Sequence, residues 1–345
     1  MKIPIENVYY LLCYAWGNVE ESDLVDVAEL DELERVQDLL ATILAEGTFR
    51  LLRLGIDRGY RETAEDLRGI RGKLAISEMA TRALRARGRA ACIFEELSHD
   101  VIHNRILRSS LERLLQLDSL DSKIRAKVGL AYRKLDGITT IRVNRRAFRQ
   151  VQLDRNRRIY HLLLAVCELL HESILVSEDS GDVRFHDFRK DHERMWKVFE
   201  DFVTEFYKRE QRAYRVRGQS TIPWHDAWAP LESDQRHIPV MKPDVMLDGA
   251  ERRIVLDAKF YQEAFGGYSG EKLNSDNLYQ ILSYLRNRQA SRPEGPRHEG
   301  ILLYPVVDRQ FAVDVRLNGF RVQARGIDLA QPWKQIHEDM LRVIS

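Results

Sequence analysis

The chain has 345 residues, and its 54 lysines and arginines nearly balance its 53 aspartates and glutamates. This balance excludes a global positive field that would attract nucleic acid, so any DNA contact must come from local clusters or from a partner. The length predicts two domains, and the absence of a long apolar segment or a basic leader excludes a membrane span and a secretion signal, so we expect a cytoplasmic protein.

The first 54 residues predict two helices. The run 3–17 is dense in aromatic residues, and Asn7 is expected to cap a helix that continues to about Ala15 and is ended by Gly17. After a charged linker over 20–34, apolar side chains recur at helical spacing through 35–54, which predicts an amphipathic helix. By themselves these patterns indicate buried packing and no chemistry.

The segment 69–74, Gly-Ile-Arg-Gly-Lys-Leu, contains a Gly-Lys pair but is not a phosphate-binding loop. Leu67 stands where the first glycine of such a loop is required, and Leu74 stands where Ser or Thr would hold Mg²⁺. Since no other loop of this kind is present, we expect this chain to bind no nucleotide. By itself the segment indicates a surface turn punctuated by glycine.

The strongest basic cluster of the sequence follows a predicted strand over 91–97 and predicted helices over 100–117 and 122–135. It consists of Arg142, Arg145, Arg146, Arg149, Arg155, Arg157 and Arg158, opposed only by Asp154. Arg145, Arg146, Arg149, Arg157 and Arg158 are candidates for binding DNA phosphates without reading bases. The alternative is a solvated face balanced by acids elsewhere. We place the domain boundary here, between 1–150 and 151–345.

The C-terminal part predicts a β-hairpin with an unusual charge pattern. Helices over 159–175 and 190–212 and a strand over 211–222 lead to strands over 240–247 and 252–261, joined by the turn 248–251. Pairing Leu247 with Arg252 would set Asp244 opposite Val255, one diagonal step from Asp257 and on the face that also carries Lys259.

Asp257 interrupts an apolar run, and a carboxylate there is costly unless it is paired or bound to a metal. Two neighbouring carboxylates repel each other unless a cation lies between them, and oxygen ligands favour Mg²⁺ or Mn²⁺. The hairpin therefore predicts a metal site. The alternative is a surface hairpin that carries ordinary charges.

A helix over 274–288 comes next, and its Gln280 and Tyr284 are four residues apart and therefore lie on one face. A solvated glutamine beside a core tyrosine is the alternative to a functional pair. Strands over 300–306 and 311–315 and an amphipathic helix over 333–344 complete the predicted elements.

The hairpin and the helix after it resemble the PD-(D/E)xK nuclease superfamily and its RecB-like branch. The matching residues are Pro243-Asp244, Asp257-Ala258-Lys259 and the QxxxY pair Gln280 and Tyr284. The resemblance implies a mixed central sheet flanked by helices, and hydrolysis of DNA phosphodiesters with Mg²⁺ or Mn²⁺.

The same resemblance implies individual roles. Asp244, Asp257 and the Ala258 carbonyl bind the metal ion. Lys259 activates water or stabilises charge on the phosphate, Gln280 helps to place the nucleophile, and Tyr284 contacts the DNA backbone. A helix before the sheet often supplies a further acid in these nucleases. Glu200 is the first candidate and Glu205 the second, with a solvated charge as the alternative for each.

The opening run, Asn-Val-Tyr-Tyr-Leu-Leu over 7–12 and Tyr-Ala-Trp-Gly over 14–17, resembles the McrC family, nuclease subunits of modified-cytosine restriction systems. That family also has the nuclease hairpin in its C-terminal half. The resemblance implies that an N-terminal α/β domain docks on a hexameric AAA+ GTPase and stimulates its hydrolysis, and it makes Arg71 and Lys73 candidates for contact with that partner. It also implies that the partner binds GTP and recognises the modified base, and that each chain cuts one strand of double-stranded DNA.

Two other classes of function remain open from the sequence. The first is a nuclease that acts alone, or with an ATP-driven partner, in repair or another defence system. The second is a non-enzymatic adaptor that activates the ring.

Overall fold

A computed structural model describes residues 3–82, 84–154, 156–176, 183–229, 231–259, 265–266, 272–307 and 310–345. The chain divides into two compact units, a split unit (Met1–Arg35 with Asp187–Ser345) and a middle unit (Val36–His186). The predicted boundary at residue 150 does not coincide with this division, in which residues 1–35 group with residues 187–345 and residues 151–186 group with the middle unit. No helix among the described residues is long and apolar enough to cross a membrane.

Twelve α-helices and thirteen strands are numbered in chain order over the described residues. The α-helices are α1 Ile5–Ala15, α2 Val27–Asp31, α3 Val36–Leu54, α4 Ile76–Thr81, α5 Ile102–Leu115, α6 Ser122–Lys134, α7 Arg145–Arg149, α8 Arg158–Ser173, α9 His192–Glu210, α10 Glu232–Gln235, α11 Ser275–Ser291 and α12 Trp333–Val343. The strands are β1 Gly59–Leu67, β2 Lys73–Leu74, β3 Ala90–Ser98, β4 Ile174–Val176, β5 Val183–Phe185, β6 Arg215–Gly218, β7 Val245–Asp248, β8 Arg252–Ala258, β9 Phe265–Gly266, β10 Lys272–Leu273, β11 Arg297–Val306, β12 Ala312–Leu317 and β13 Phe320–Asp328.

The middle unit combines packed helices with a small antiparallel sheet in the order β1-β3-β2. Helices α3 and α8 approach closely, since a Cβ at Gly47 would lie 2.3 Å from a methyl group of Leu163. The predicted strand over 91–97 is β3. Its partner β1 was not predicted, because most of its side chains are exposed and it lacks a regular apolar alternation.

A single buried carboxylate joins three segments of the middle unit. Asp100 accepts hydrogen bonds from Arg105 Nε and Nη2, both at 2.7 Å, and from Arg61 Nη1 at 2.6 Å. The backbone N–H and hydroxyl of Thr139 donate to it at 2.8 and 2.9 Å. These contacts, led by the bond from Arg105, hold the pKa of Asp100 far below its ordinary value.

The split unit is built on a six-stranded sheet in the order β12-β13-β11-β8-β7-β6. β11 runs parallel to β13 and β8, and the other pairs are antiparallel, which confirms the predicted mixed sheet. Helix α11 covers one face, where Ile281 and Leu285 pack in one cluster with Met246 and Val255. β11 approaches α11 so closely that a Cβ at Gly300 would lie 2.8 Å from Ile281.

The aromatic helix α1 belongs to this unit through contacts far away in sequence. It begins at Ile5 after Pro4, so the prediction that Asn7 caps it is wrong. Asn7 is buried, and its amide donates to the carbonyls of Leu329 at 2.9 Å and Gln331 at 2.8 Å. The helix ends before Gly17, whose φ of +67° matches the predicted stop.

Candidate active site

The two acids of the hairpin lie directly opposite each other. Leu247 pairs with Ile254 rather than with Arg252, because the N–H of Gly249 bonds to the carbonyl of Arg252 and closes a two-residue turn. The predicted register was therefore wrong by two residues. A shift of two preserves the face of every side chain, and it moves Asp244 from opposite Val255 to opposite Asp257.

The side chains of this pair are buried and tied to the strand ends. Asp244 is 8% exposed and Asp257 is 3% exposed. Asp244 Oδ2 accepts a hydrogen bond of 2.7 Å from the Ala258 N–H. Lys259 Nζ lies 2.5 Å from Asp257 Oδ2. The structure thus brings together the three residues of the predicted signature.

The electrostatics of the pair favour a bound cation. Burial, and then the negative charges of Asp257 and Glu200, raise the pKa of Asp244 to about 8. Burial also raises the pKa of Asp257, against the opposing effect of Lys259. One lysine therefore faces a concentration of negative charge that it does not neutralise, and a divalent ion would stabilise the ionised form of both acids.

The donor atoms suit a hydrated magnesium ion. Across the described ranges, no group of three or more His, Cys, Asp or Glu side chains is arranged to hold a metal. Mg²⁺ keeps several waters and commonly uses only one or two protein carboxylates, which Asp244 and Asp257 supply. Asp257 Oδ2 is buried and, apart from the nearby lysine, accepts no hydrogen bond of regular geometry.

The carbonyl of Ala258, predicted as a third ligand, has a hydrogen-bond donor in the structure. Trp196 on α9 donates its indole N–H to this oxygen at 3.1 Å. A carbonyl oxygen has two lone pairs, so the bond from Trp196 leaves one for a ligand. This contact was not predicted, because the apolar spacing of the helix over 190–212 indicates buried packing and gives no hydrogen-bond partner for Trp196.

Glu200 is the better of the two predicted upstream acids. It is 6% exposed, accepts a hydrogen bond of 2.8 Å from Gln219 Nε2, and contributes to the raised pKa of both hairpin acids. Glu205 instead pairs with Lys208 at 2.6 Å near the surface. Gln219 was not predicted, because it fell inside the predicted strand over 211–222, where an isolated polar residue carries no signal, whereas β6 ends at Gly218.

The two residues of the QxxxY pair are joined by a hydrogen bond on α11. Gln280 Nε2 donates to the Tyr284 hydroxyl at 2.8 Å, so the two side chains act as one unit. Tyr284 is buried, and burial followed by the charge of Asp257 raises its pKa to about 12. Tyr284 is therefore within electrostatic range of Asp257, whereas Gln280 is exposed at the helix surface.

The amino-acid sequence matches known proteins over most of its length. Residues 6–305 match the family described as McrBC 5-methylcytosine restriction system component. The chain belongs to this McrBC family. It is 30% identical over 347 residues to the type IV methyl-directed restriction enzyme EcoKMcrBC of Escherichia coli K12, covering 99% of this chain and 97% of that protein.

The McrBC assignment extends to the fold. A solved half-complex of Thermococcus gammatolerans McrB AAA+ hexamers with bound McrC matches 99% of this chain and 75% of that chain. The TM-score is 0.59 at 19% sequence identity, which shows a shared fold.

The basic cluster of this McrBC-family chain lies in the middle unit. Arg157 pairs with Asp57, and Arg145 lies 3.4 Å from Glu172. Arg146, Arg149 and Arg158 are exposed. Arg155 lies outside the described residues. The cluster is thus partly paired within its own unit, and its role in binding DNA stays a prediction.

The glycine-punctuated segment 69–74 forms the entry to β2. Gly72 has φ +69°, and a Cβ there would lie 2.4 Å from the carbonyl oxygen of Ile93, so only glycine fits. The guanidinium of Arg71 stacks 4.1 Å from the ring centre of Phe94. Lys73 is exposed at the surface. Partner contact by Arg71 and Lys73 stays a prediction.

We expect Asp244→Asn to stabilise the metal-free protein. Because the folded pKa of Asp244 is raised from 3.8 to about 8, its ionised form disfavours the fold at pH 8.5. An asparagine oxygen would still accept the Ala258 N–H, so the melting temperature in EDTA should rise by about 2–4 °C. Differential scanning calorimetry measures this change.

Addition of Mg²⁺ should then raise the melting temperature of the wild type and leave that of Asp244→Asn unchanged. Glu251→Ala, which removes an exposed carboxylate at the turn of the same hairpin, is the matched control and should respond to Mg²⁺ like the wild type. An equal Mg²⁺ response in Asp244→Asn would contradict a metal site at this pair.

Proposed function

We propose that this chain is the Mg²⁺-dependent endonuclease subunit of a restriction complex that cleaves double-stranded DNA containing modified cytosine. The observation that carries the proposal is the arrangement of three residues in a chain of the McrBC family. Asp244 lies opposite Asp257, and Lys259 Nζ lies 2.5 Å from Asp257 Oδ2. Two buried acids and one lysine on a rigid sheet are the parts that phosphodiester hydrolysis requires.

In this proposal Asp244, Asp257 and the free lone pair of the Ala258 carbonyl hold the metal, and Glu200 adds negative charge beside them. The bound ion supplies Lewis acidity and makes water a stronger nucleophile. The ammonium of Lys259 stabilises the negative charge that develops on the phosphate. Gln280, held by the Tyr284 hydroxyl, orients the attacking water, and Tyr284 borders the DNA backbone.

The family also supports a motor partner. The related archaeal structure contains McrB AAA+ hexamers with bound McrC. Because this chain has no phosphate-binding loop, we propose that a hexameric AAA+ partner binds GTP and recognises the modified base. The segment around Arg71 and Lys73 would contact that partner, and the exposed arginines of the basic cluster would bind DNA phosphates without reading sequence.

The test is cleavage of methylated and unmethylated plasmid in Mg²⁺, with and without the co-encoded AAA+ protein, in GTP or ATP. We expect linear product only from methylated plasmid, only with the partner present, and only in GTP. Cleavage by the chain alone, or in ATP, would instead identify a stand-alone or ATP-coupled nuclease. Stimulation of GTP hydrolysis without any cleavage would identify a non-catalytic adaptor.

A further inference from the structure

The residue after β6 has an unfavourable backbone conformation beside the acid pair. Gln219 has a φ of +45°, in the left-handed region that costs free energy for a residue with a long side chain. The other non-glycine residues with positive φ in the described part of the chain are Asp226 and Asn318, types that enter this region more readily. Gln219 is therefore held there by its surroundings.

The conformation lets one residue bond to two acids of the site. The Gln219 N–H donates to the backbone carbonyl of Asp244 at 2.8 Å, and its side-chain amide donates to Glu200 Oε1 at 2.8 Å. The preceding Gly218 brings β6 close to α9, since a Cβ there would lie 2.5 Å from the methyl group of Thr204. Thr204 is one helical turn beyond Glu200, so this contact sets Gln219 against that acid.

We propose that Gln219 is a positioning residue for the metal site, which holds the Glu200 carboxylate toward Asp244 and Asp257. The inference rests on the proposed function. An amide is suited to this task because it donates a hydrogen bond without adding a positive charge that would compete with a metal ion for Glu200. Lys197, the other donor to Glu200, is half exposed and lies 3.4 Å away.

Gln219→Gly tests the side chain separately from the turn. Glycine adopts φ +45° without strain, so the turn and its N–H bond to Asp244 should persist. We expect the dissociation constant for Mn²⁺, measured by calorimetry on the full chain without DNA, to rise about 10-fold or more. The melting temperature in EDTA should be unchanged or higher. Gln219→Asn, which tolerates the turn but has a shorter amide, should weaken Mn²⁺ binding similarly.

An exchange of the two side chains separates positioning from simple structural support. The double variant Glu200→Gln with Gln219→Glu rebuilds the hydrogen bond with donor and acceptor reversed, and it moves the charge away from α9. We expect it to remain weak in Mn²⁺ binding. Recovery of wild-type affinity would overturn the inference, because the bond alone would then be sufficient.

The Asp257→Ala variant distinguishes failure of the inference from failure of the proposed function. If Asp257→Ala loses Mn²⁺ binding while Gln219→Gly binds like the wild type, the role of Gln219 is overturned and the metal site stands. If Asp257→Ala binds Mn²⁺ as tightly as the wild type, the metal site is wrong and the inference falls with it.

Discussion

Asp257→Ala should abolish DNA cleavage, with a loss of about three orders of magnitude or more in the single-turnover rate. The carboxylate is 3% exposed, directly opposes Asp244 and contacts Lys259, so its removal takes away a proposed metal ligand and the partner of the proposed catalytic lysine. The measurement is the rate of linear product formation from methylated plasmid with the AAA+ partner, GTP and Mg²⁺.

Two controls make this result specific. Glu251→Ala removes an exposed acid from the turn of the same hairpin and should cut at the wild-type rate. Asp257→Ala should still stimulate GTP hydrolysis by the partner, because the proposed docking segment lies in the other unit. Wild-type cleavage by Asp257→Ala would mean that the catalytic centre is elsewhere.

Asp100→Asn should destabilise the middle unit by about 3 kcal/mol at pH 7. The change leaves the guanidinium groups of Arg61 and Arg105 facing a neutral amide, and it weakens the bonds from Thr139. We place the effect at the low end for a buried pair because Arg61 is half exposed. Hydrogen exchange of backbone amides in β3 and α5 reports this unit separately from the rest.

The contribution of Asp100 to the stability of the middle unit should decrease at low pH. Its folded pKa is depressed, so its contribution is fully present above the ordinary value of 3.8 and declines as the pH falls below about 4. The difference in stability between the wild type and Asp100→Asn should therefore become smaller as the pH falls. Asp118→Asn changes an exposed acid of the same unit, and its exchange rates should equal those of the wild type at each pH. A constant difference between wild type and Asp100→Asn from pH 7 to pH 3 would contradict the ion-pair explanation.

Periodic apolar spacing was sufficient to predict most helices. The predicted helix over 35–54 appears as α3 and that over 274–288 as α11, because a stripe at helical spacing has no other way to be buried. The strands without a strong alternation were missed: β1 is largely exposed, and β13 was not assigned at all. Burial of such strands depends on neighbours that local sequence does not specify.

The two-residue period of a strand places Asp257 and Lys259 on one face from the sequence alone, and Asp244 joins that face because the predicted register was wrong by an even number of residues. Helical spacing likewise places Gln280 and Tyr284 on one face, because four residues make about one helical turn. Local periodicity is a property of the chain alone.

The completion of the site depends on contacts between distant parts of the chain. The closure of the turn over two residues set Asp244 opposite Asp257. Packing of α9 against β6 added Glu200 and Trp196 from the helix and Gln219 from the end of the strand. Likewise Asn7, a plausible helix cap, bonds to carbonyls more than 300 residues away. These contacts join segments distant in sequence, and their free energy depends on burial and geometry that exist only after the whole fold has formed.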